Sequence, residues 1–483
     1  MIGILDHWPF WFVAAPEIIL LGLICTVLIA DLFIDDEHRN ITFWLAIASL
    51  LVLLYVLIAT GWGGRQVVFD GAYVSDPLSQ VLKIAVVGFV AIAFIYARDY
   101  LRMNDLHKGE YYVLGLLGLL GMMIMMSANS MLTMYLGLET LALSQYTLVA
   151  IDRKNSNSAE SAMKYFVLGA IASGALLYGI SWIYGITGEL EFPEIAASIA
   201  ADPDINGLPL WVGLAFLIVG IAFKFGAVPF HMWLPDVYEG ARSPVTLYIA
   251  TAPKLAALAL TLRILVDGLG ELHEVWADMI MVMAVLSLLV GNVVAIAQTN
   301  VKRMLGYSTI AHVGFILLAV FCGTGKGYAA ALFYTLTYVV ATAGAFGIII
   351  LLCRRGYEAE NLSDFKGLNA RSPWSAVLMM FMMLSLTGIP PFIGFFGKLN
   401  VIDAVLSSGY TGLAILMVLA SVIGAYYYLR VIWYMYFEVA EDQAVLQAST
   451  DTRVVLSLNG IAVLALGIVP GWLWALCVAV LNP

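Results

Sequence analysis

Glu139, Lys224, Lys254 and Lys398 each sit in the middle of an apolar run: LGLETLAL, GIAFKFGAVPFHMWLPD, TAPKLAAL and GIPPFIGFFGKLNV. A charge at bilayer depth costs about 2.5–3.5 kcal/mol even on the mildest insertion scale, so it is rarely kept without a task. Burial lowers the proton affinity of an amine and raises that of a carboxylic acid. A buried Lys can therefore exchange protons near neutral pH, whereas an Arg essentially cannot. If Glu139 approaches Lys224, the carboxylate holds the lysine charged, and separating them frees its proton to move on. Such a pair is a candidate switch, with Lys254 as a central relay. His231, and His312 in YSTIAHVGF beside Tyr307, Ser308 and Thr309, have the chemistry to bridge gaps. The competing reading of these charges is structural glue between helices.

Elements of a particular kind must position these residues. The 483-residue chain is 62% hydrophobic and 12% charged, about half the charged share of a soluble domain, and its mean hydropathy is +0.94. Apolar stretches long enough to span a bilayer recur throughout. The fold class is all-α and polytopic, with spans expected at 14–33, 41–60, 78–98, 111–127, 130–150, 161–185, 209–230, 244–267, 275–297, 302–322, 328–353, 374–407, 411–437 and 455–478. Proline opens a helix, so Pro229 and Pro235 after Lys224 predict a broken seventh span that resumes from Trp233 to Glu239. Pro390 and Pro391 before Lys398 predict a broken twelfth. Breaks at matching places in two halves point to an ion pathway in an inverted repeat. Residues 109–270 and 271–440 are the halves, 1–108 precede them and 441–483 follow.

Loops after odd-numbered spans carry Arg39, Arg98, Arg102, Lys108, Arg153, Lys154, Arg242, Lys302, Arg303, Arg354, Arg355, Lys366, Arg371 and Arg453. Those after even-numbered spans carry only Arg65 and Lys326. The positive-inside rule then puts both termini in the periplasm. Lys83, Lys164, Arg263 and Arg430 lie near helix ends, where long stems snorkel to headgroups. A short bend would instead turn Lys164 towards Glu139.

Other chemistries are poorly supported. Cys25, Cys322, Cys353 and Cys477 form no CxxC and read as buried hydrophobes. No GxGxxG follows a strand, and GFFGK ahead of Leu399 has too short a spacer for a phosphate loop. The net charge of −10 reflects acidic loops, and no basic run suggests nucleic acid. The stretch MIGILDHWPFWF lacks a basic n-region, so the first span is expected to stay. The Met and aromatic residues read as lipid-facing or packing.

The segments YLGLETLALSQYTLVA, SAMKYFVLGAIASG, FKFGAVPFHMWLPDVYEGARSPVT, NVVAIAQTNVKRMLGYSTIAHVGF and LSLTGIPPFIGFFGKL resemble the antiporter-like membrane subunits of respiratory complex I, over nearly the whole length. That family also includes Mrp-type cation/proton antiporters. PEIIL at Pro16–Leu20, YEGARSPV, and Lys at 398 where subunit M generally has Glu distinguish members within it. The resemblance implies fourteen helices with two inverted five-helix units. It implies that Glu139 and Lys224 form a modulating pair, Lys254 the middle relay and Lys398 the periplasm-side terminal residue. Lys164 and His312 match auxiliary positions. No cofactor or metal is implied in this chain; NADH oxidation, FMN, Fe–S clusters and quinone reduction would belong to other subunits. The implied partners are the neighbouring subunit M, the small subunits K, J and A, and the bacterial inner membrane. Rival readings are an Mrp-type antiporter subunit and a non-transporting scaffold.

Overall fold

The computed structural model describes residues 10–60, 64–202, 205–439, 446 and 448–481. Most of the stretch MIGILDHWPFWF, the two final residues and the expected boundary at 440 lie outside the described residues. Because lipid offers backbone groups no hydrogen bonds, a spanning segment must satisfy its own, which a helix does. Among the described residues eleven helices are long and apolar enough to cross a membrane. Three expected spans escape that measure for plain reasons. Ala15–Asp31 has 17 residues, Met131–Val149 carries Glu139 among Thr, Ser and Gln, and the twelfth is split into Pro373–Thr387 and Ile393–Ser407. With these, the expected fourteen spans are accounted for. A small antiparallel pair, Gln66–Val68 with Tyr73–Ser75, follows the second span.

The two expected breaks are built alike. The seventh span ends at Phe225 and resumes as Trp233–Gly240. Gly226 and Gly388, just past the first halves, take φ of 79° and 88°, a conformation glycine reaches without penalty. The N–H of Gly226 bonds to the carbonyls of Ala222 and Phe223, and that of Ala227 returns to Ala222. Gly388 and Ile389 repeat the pattern on Leu384 and Ser385. These are glycine C-caps followed by proline, the usual way to stop a helix.

Two further breaks depart from the continuous helices expected. The eighth span divides at Thr251 (φ −113°, ψ −99°) into Ser243–Ala250 and Ala252–Leu262. Pro253 lacks an amide donor and lies in the first turn of the second piece, which places Lys254 in that turn as well. The last span divides into Thr450–Ile468 and Gly471–Leu481 around Pro470.

Glycine brings paired spans together at corresponding places. A Cβ on Gly121 would stand 2.6 Å from the Gly137 carbonyl, where the fourth span crosses the fifth. On Gly291 it would stand 2.5 Å from the Ala311 nitrogen, where the ninth crosses the tenth. Small residues permit this backbone approach in membranes. The eighth, tenth and eleventh spans are the most enclosed, and the second, sixth, thirteenth and fourteenth lie at the rim.

Several basic residues expected to snorkel find carboxylates or carbonyls instead. Lys83 is buried and sits 2.6 Å from Glu17. It donates to the Tyr73 hydroxyl at 2.9 Å, which donates to Glu17 at 2.7 Å. Arg263 is held by Asp76 at 2.7 Å and Asp267 at 2.9 Å. Arg430 donates to the carbonyls of Ile296 and Gln298. Internal partners on neighbouring elements replace the headgroup contact. Cys25 is exposed at the rim, unlike the other three cysteines.

Candidate functional site

Lys224 lies in the last turn before the first break and is buried. Its ammonium is 3.4 Å from Gln145 Oε1, which also accepts from the Tyr165 hydroxyl at 2.8 Å. Glu139, on the same helix as Gln145, accepts from the Ser173 hydroxyl. Among the described residues no direct ion pair joins Glu139 and Lys224, although their charges are within interaction range. Each is held by a neutral partner instead. Ser173 and Lys224 line one small cavity with Tyr146 and Tyr165.

The other two lysines share a role that their sequence positions do not suggest. Lys254 donates to the Phe225 carbonyl at 2.9 Å. Lys398 donates to the Thr387 carbonyl at 2.8 Å. Phe225 and Thr387 are the last helical residues before the two capping glycines. A helix C-terminus concentrates orphan carbonyls and partial negative charge, so an ammonium is favoured there. Each ammonium also lies over a ring, Lys254 over Trp233 at 5.6 Å and Lys398 over Phe315 at 5.4 Å. Trp233 adds its indole N–H to the Phe223 carbonyl at 2.9 Å. Both broken half-helices therefore end on a lysine and an aromatic side.

His312 lies between tyrosines: Nδ1 is 2.7 Å from the Tyr334 hydroxyl and Nε2 is 2.9 Å from that of Tyr428. It shares a small cavity with Lys398, Tyr338 and Ser385. Ser308 bonds to Tyr428, and Thr309 to Tyr338 at 2.8 Å. Tyr307 instead faces the Arg303 guanidinium, 5.8 Å away.

Two auxiliary positions stand apart from this line. Lys164 is 44% exposed and pairs with Glu160 at 2.9 Å and Asp236 at 3.0 Å. It does not turn to Glu139, because the short helix after the break in the seventh span brings Asp236 within its reach. His231 is half-buried inside that break, and its Nδ1 has no side-chain partner. The reading of aromatics as packing missed Tyr165, Tyr334, Tyr338 and Tyr428, whose rings pack while their hydroxyls join the line. Gln145 was also missed, although a carboxamide six residues from Glu139 in an apolar run was a usable signal.

Residues 128–424 match the family model described as NADH:quinone oxidoreductase/Mrp antiporter, TM. The chain is 53% identical to NADH-quinone oxidoreductase subunit N of Thioalkalivibrio sulfidiphilus, covering 98% of this chain and 99% of that one. The chain belongs to the subunit N family. The Alkalilimnicola ehrlichii member is likewise 53% identical, over 98% of this chain and 96% of its own. Among solved structures, a chain of respiratory complex I from Thermus thermophilus with bound aureothin is 31% identical, with a TM-score of 0.82 over 95% of this chain and 98% of that one. A chain of the Mrp complex from Dietzia shares the fold, with a TM-score of 0.82 at 22% identity over 98% and 96% of the two chains. This is a membrane-embedded subunit of the complex I type, whose partners are other membrane subunits.

Proposed function

We propose that this chain is a proton-translocating membrane-arm subunit of a bacterial NADH:quinone oxidoreductase. It moves protons from cytoplasm to periplasm, driven by NADH oxidation and quinone reduction in other subunits. Moving one charge against 100 mV takes about 2.3 kcal/mol, and that energy has to come from outside a cycle of proton exchanges. NADH, FMN, Fe–S clusters and quinone belong to the rest of the complex in this reading. The halves at 109–270 and 271–440 act as the two repeat units. Both termini face the periplasm, as the Lys and Arg alternation favours. The neighbouring partners are subunit M and the small subunits K, J and A.

The observation that carries the reading is the pair of lysines seated on the ends of the broken half-helices, with His312 in the Lys398 cavity. A helix-end carbonyl favours the ammonium over the neutral amine, so loosening that contact makes the proton easier to lose. A shift of either half-helix therefore changes the proton affinity of its lysine. Glu139 and Lys224 act upstream as the modulating pair: approach of the carboxylate charges Lys224, and separation releases its proton towards Lys254. Lys398 is the periplasm-side terminal residue, with His312, His231 and Lys164 in auxiliary roles.

An Mrp-type antiporter subunit without a redox arm is the second reading, supported by the shared fold and by the family description that covers both kinds of subunit. Three ammonium groups along the line make a poor binding path for Na⁺. In the reconstituted complex, Lys224→Ala or Glu139→Ala should sharply lower protons pumped per NADH while assembly survives. Unchanged pumping in assembled variants would sink the assigned roles, and sodium-dependent exchange without the redox subunits would favour the antiporter.

A further inference from the structure

The short helix Trp233–Gly240 touches Tyr165, of the group around Lys224, and the tenth span, which carries His312 and Thr309 of the group around Lys398. On one side, Trp233 stacks on Tyr165 with ring centres 4.5 Å apart, beneath Lys254. On the other, the helix packs against the tenth span so closely that a Cβ on Gly306 would stand 3.2 Å from Pro235 Cα and 3.6 Å from Tyr238. Among the described residues no side-chain hydrogen bond joins the two groups. Tyr238 stands between them and is fully buried. Its hydroxyl has Tyr338, Thr309 and Tyr165 as polar neighbours, yet no protein group completes a well-formed hydrogen bond to it. If this residue served packing alone, Phe would fill the same space without burying an unpaired hydroxyl.

We propose that Tyr238 is the crossing point for protons between the two groups. Its neighbours continue the path on either side. Tyr165 and Lys224 both donate to the Gln145 oxygen, which holds them in place, and they line one cavity where a water carries the proton from the lysine to Tyr165. Thr309 bonds to Tyr338 in the cavity shared by His312 and Lys398. The Tyr238 oxygen accepts a proton from the Tyr165 side, directly or through one water, as its own O–H proton passes to Thr309 and the Thr309 proton moves on to the Tyr338 hydroxyl. The hydroxyl ends each transfer neutral, and rotation about the C–O bond resets it. The aromatic ring holds the oxygen in place against Phe346, 6.0 Å away between centres. This crossing rests on the translocation reading above.

The test uses the whole complex in proteoliposomes, with protons pumped per NADH compared for Tyr238→Phe, Thr309→Val, Lys224→Ala and Lys398→Met, alongside the amount of assembled complex. The expected result is a wild-type amount of complex carrying Tyr238→Phe, with at least half the loss of ratio caused by Lys398→Met. Thr309→Val keeps the shape of Thr309 and should lower the ratio in the same direction, which keeps the test open if Tyr238→Phe assembles poorly. Unchanged ratios in Tyr238→Phe and Thr309→Val beside lowered ratios in the lysine variants overturn the crossing and leave the proposed function standing. Less complex with an unchanged ratio per complex makes Tyr238 a packing residue and overturns it as well. Unchanged ratios in every variant sink the translocation reading and the crossing with it.

Discussion

Lys398→Met separates a proton carrier from structural glue, because the two roles predict opposite balances of stability and pumping. Methionine keeps most of the apolar stem and removes the ammonium. The loss is the 2.8 Å contact to the Thr387 carbonyl at the end of the half-helix. An unsatisfied buried carbonyl costs about 1–3 kcal/mol. Against this, the fold no longer buries a charge whose insertion costs about 2.5–3.5 kcal/mol. The net change runs from roughly 2.5 kcal/mol stabilising to about 0.5 kcal/mol destabilising. Thermal dissociation of the detergent-solubilised complex should therefore be unchanged or slightly later, while protons pumped per NADH fall sharply. Earlier dissociation with an unchanged pumping ratio would make Lys398 a helix cap and not a proton carrier.

Three further outcomes follow from other parts of the fold. Glu358, in the loop after the eleventh span, bonds to Ser243 at 2.7 Å and to Arg242 at 3.1 Å. Even so, burial and then the Glu360 charge push its carboxyl up to about 8. The folded chain thus holds a proton there that the unfolded chain releases near the ordinary carboxylate value, so this contribution to stability falls as pH rises towards about 8. Glu358→Gln should flatten that slope in melting curves between these limits, and an unaltered slope counts against it. Lys83→Met strands the Glu17 carboxylate in a buried site, where breaking a pair costs about 3–5 kcal/mol. Adding Glu17→Gln should recover much of the lost thermal stability, whereas additive losses would contradict the pairing. Gly291→Ala forces the ninth and tenth spans apart and should destabilise by about 1–3 kcal/mol. Gly22→Ala, which meets nothing within 4 Å, is the matched control for thermal melting.

The spans and the two proline breaks were legible because a bilayer imposes a length and proline removes a donor, both local properties of the chain. The break at Thr251 was not, since a single Pro253 also fits a helix start or kink, and only tertiary packing decides between them. The chemistry of the line was half legible. Charged residues in apolar runs stand out one by one, so Glu139, Lys224, Lys254 and Lys398 are found without a partner. Which carbonyl or hydroxyl each one meets depends on helix crossings. The lysine contacts to Phe225 and Thr387 therefore emerge only from the fold. Tyrosine hides for a similar reason, because its ring obeys the hydrophobic pattern and its hydroxyl does not. Lys83 was misread since its partner Glu17 lies two spans away in sequence.

In the proposed function these charges form one path rather than several supports. Carriers in series have a testable signature: removing a second one costs little once the path is cut, whereas independent contributions add. The direct measurement is protons pumped per NADH by proteoliposomes containing complex with Lys224→Ala, with Lys254→Met, with Lys398→Met, and with all three together. The triple variant should pump about as poorly as the poorest single one. Losses that sum across the three, or a wild-type ratio in the triple variant, would contradict the single path.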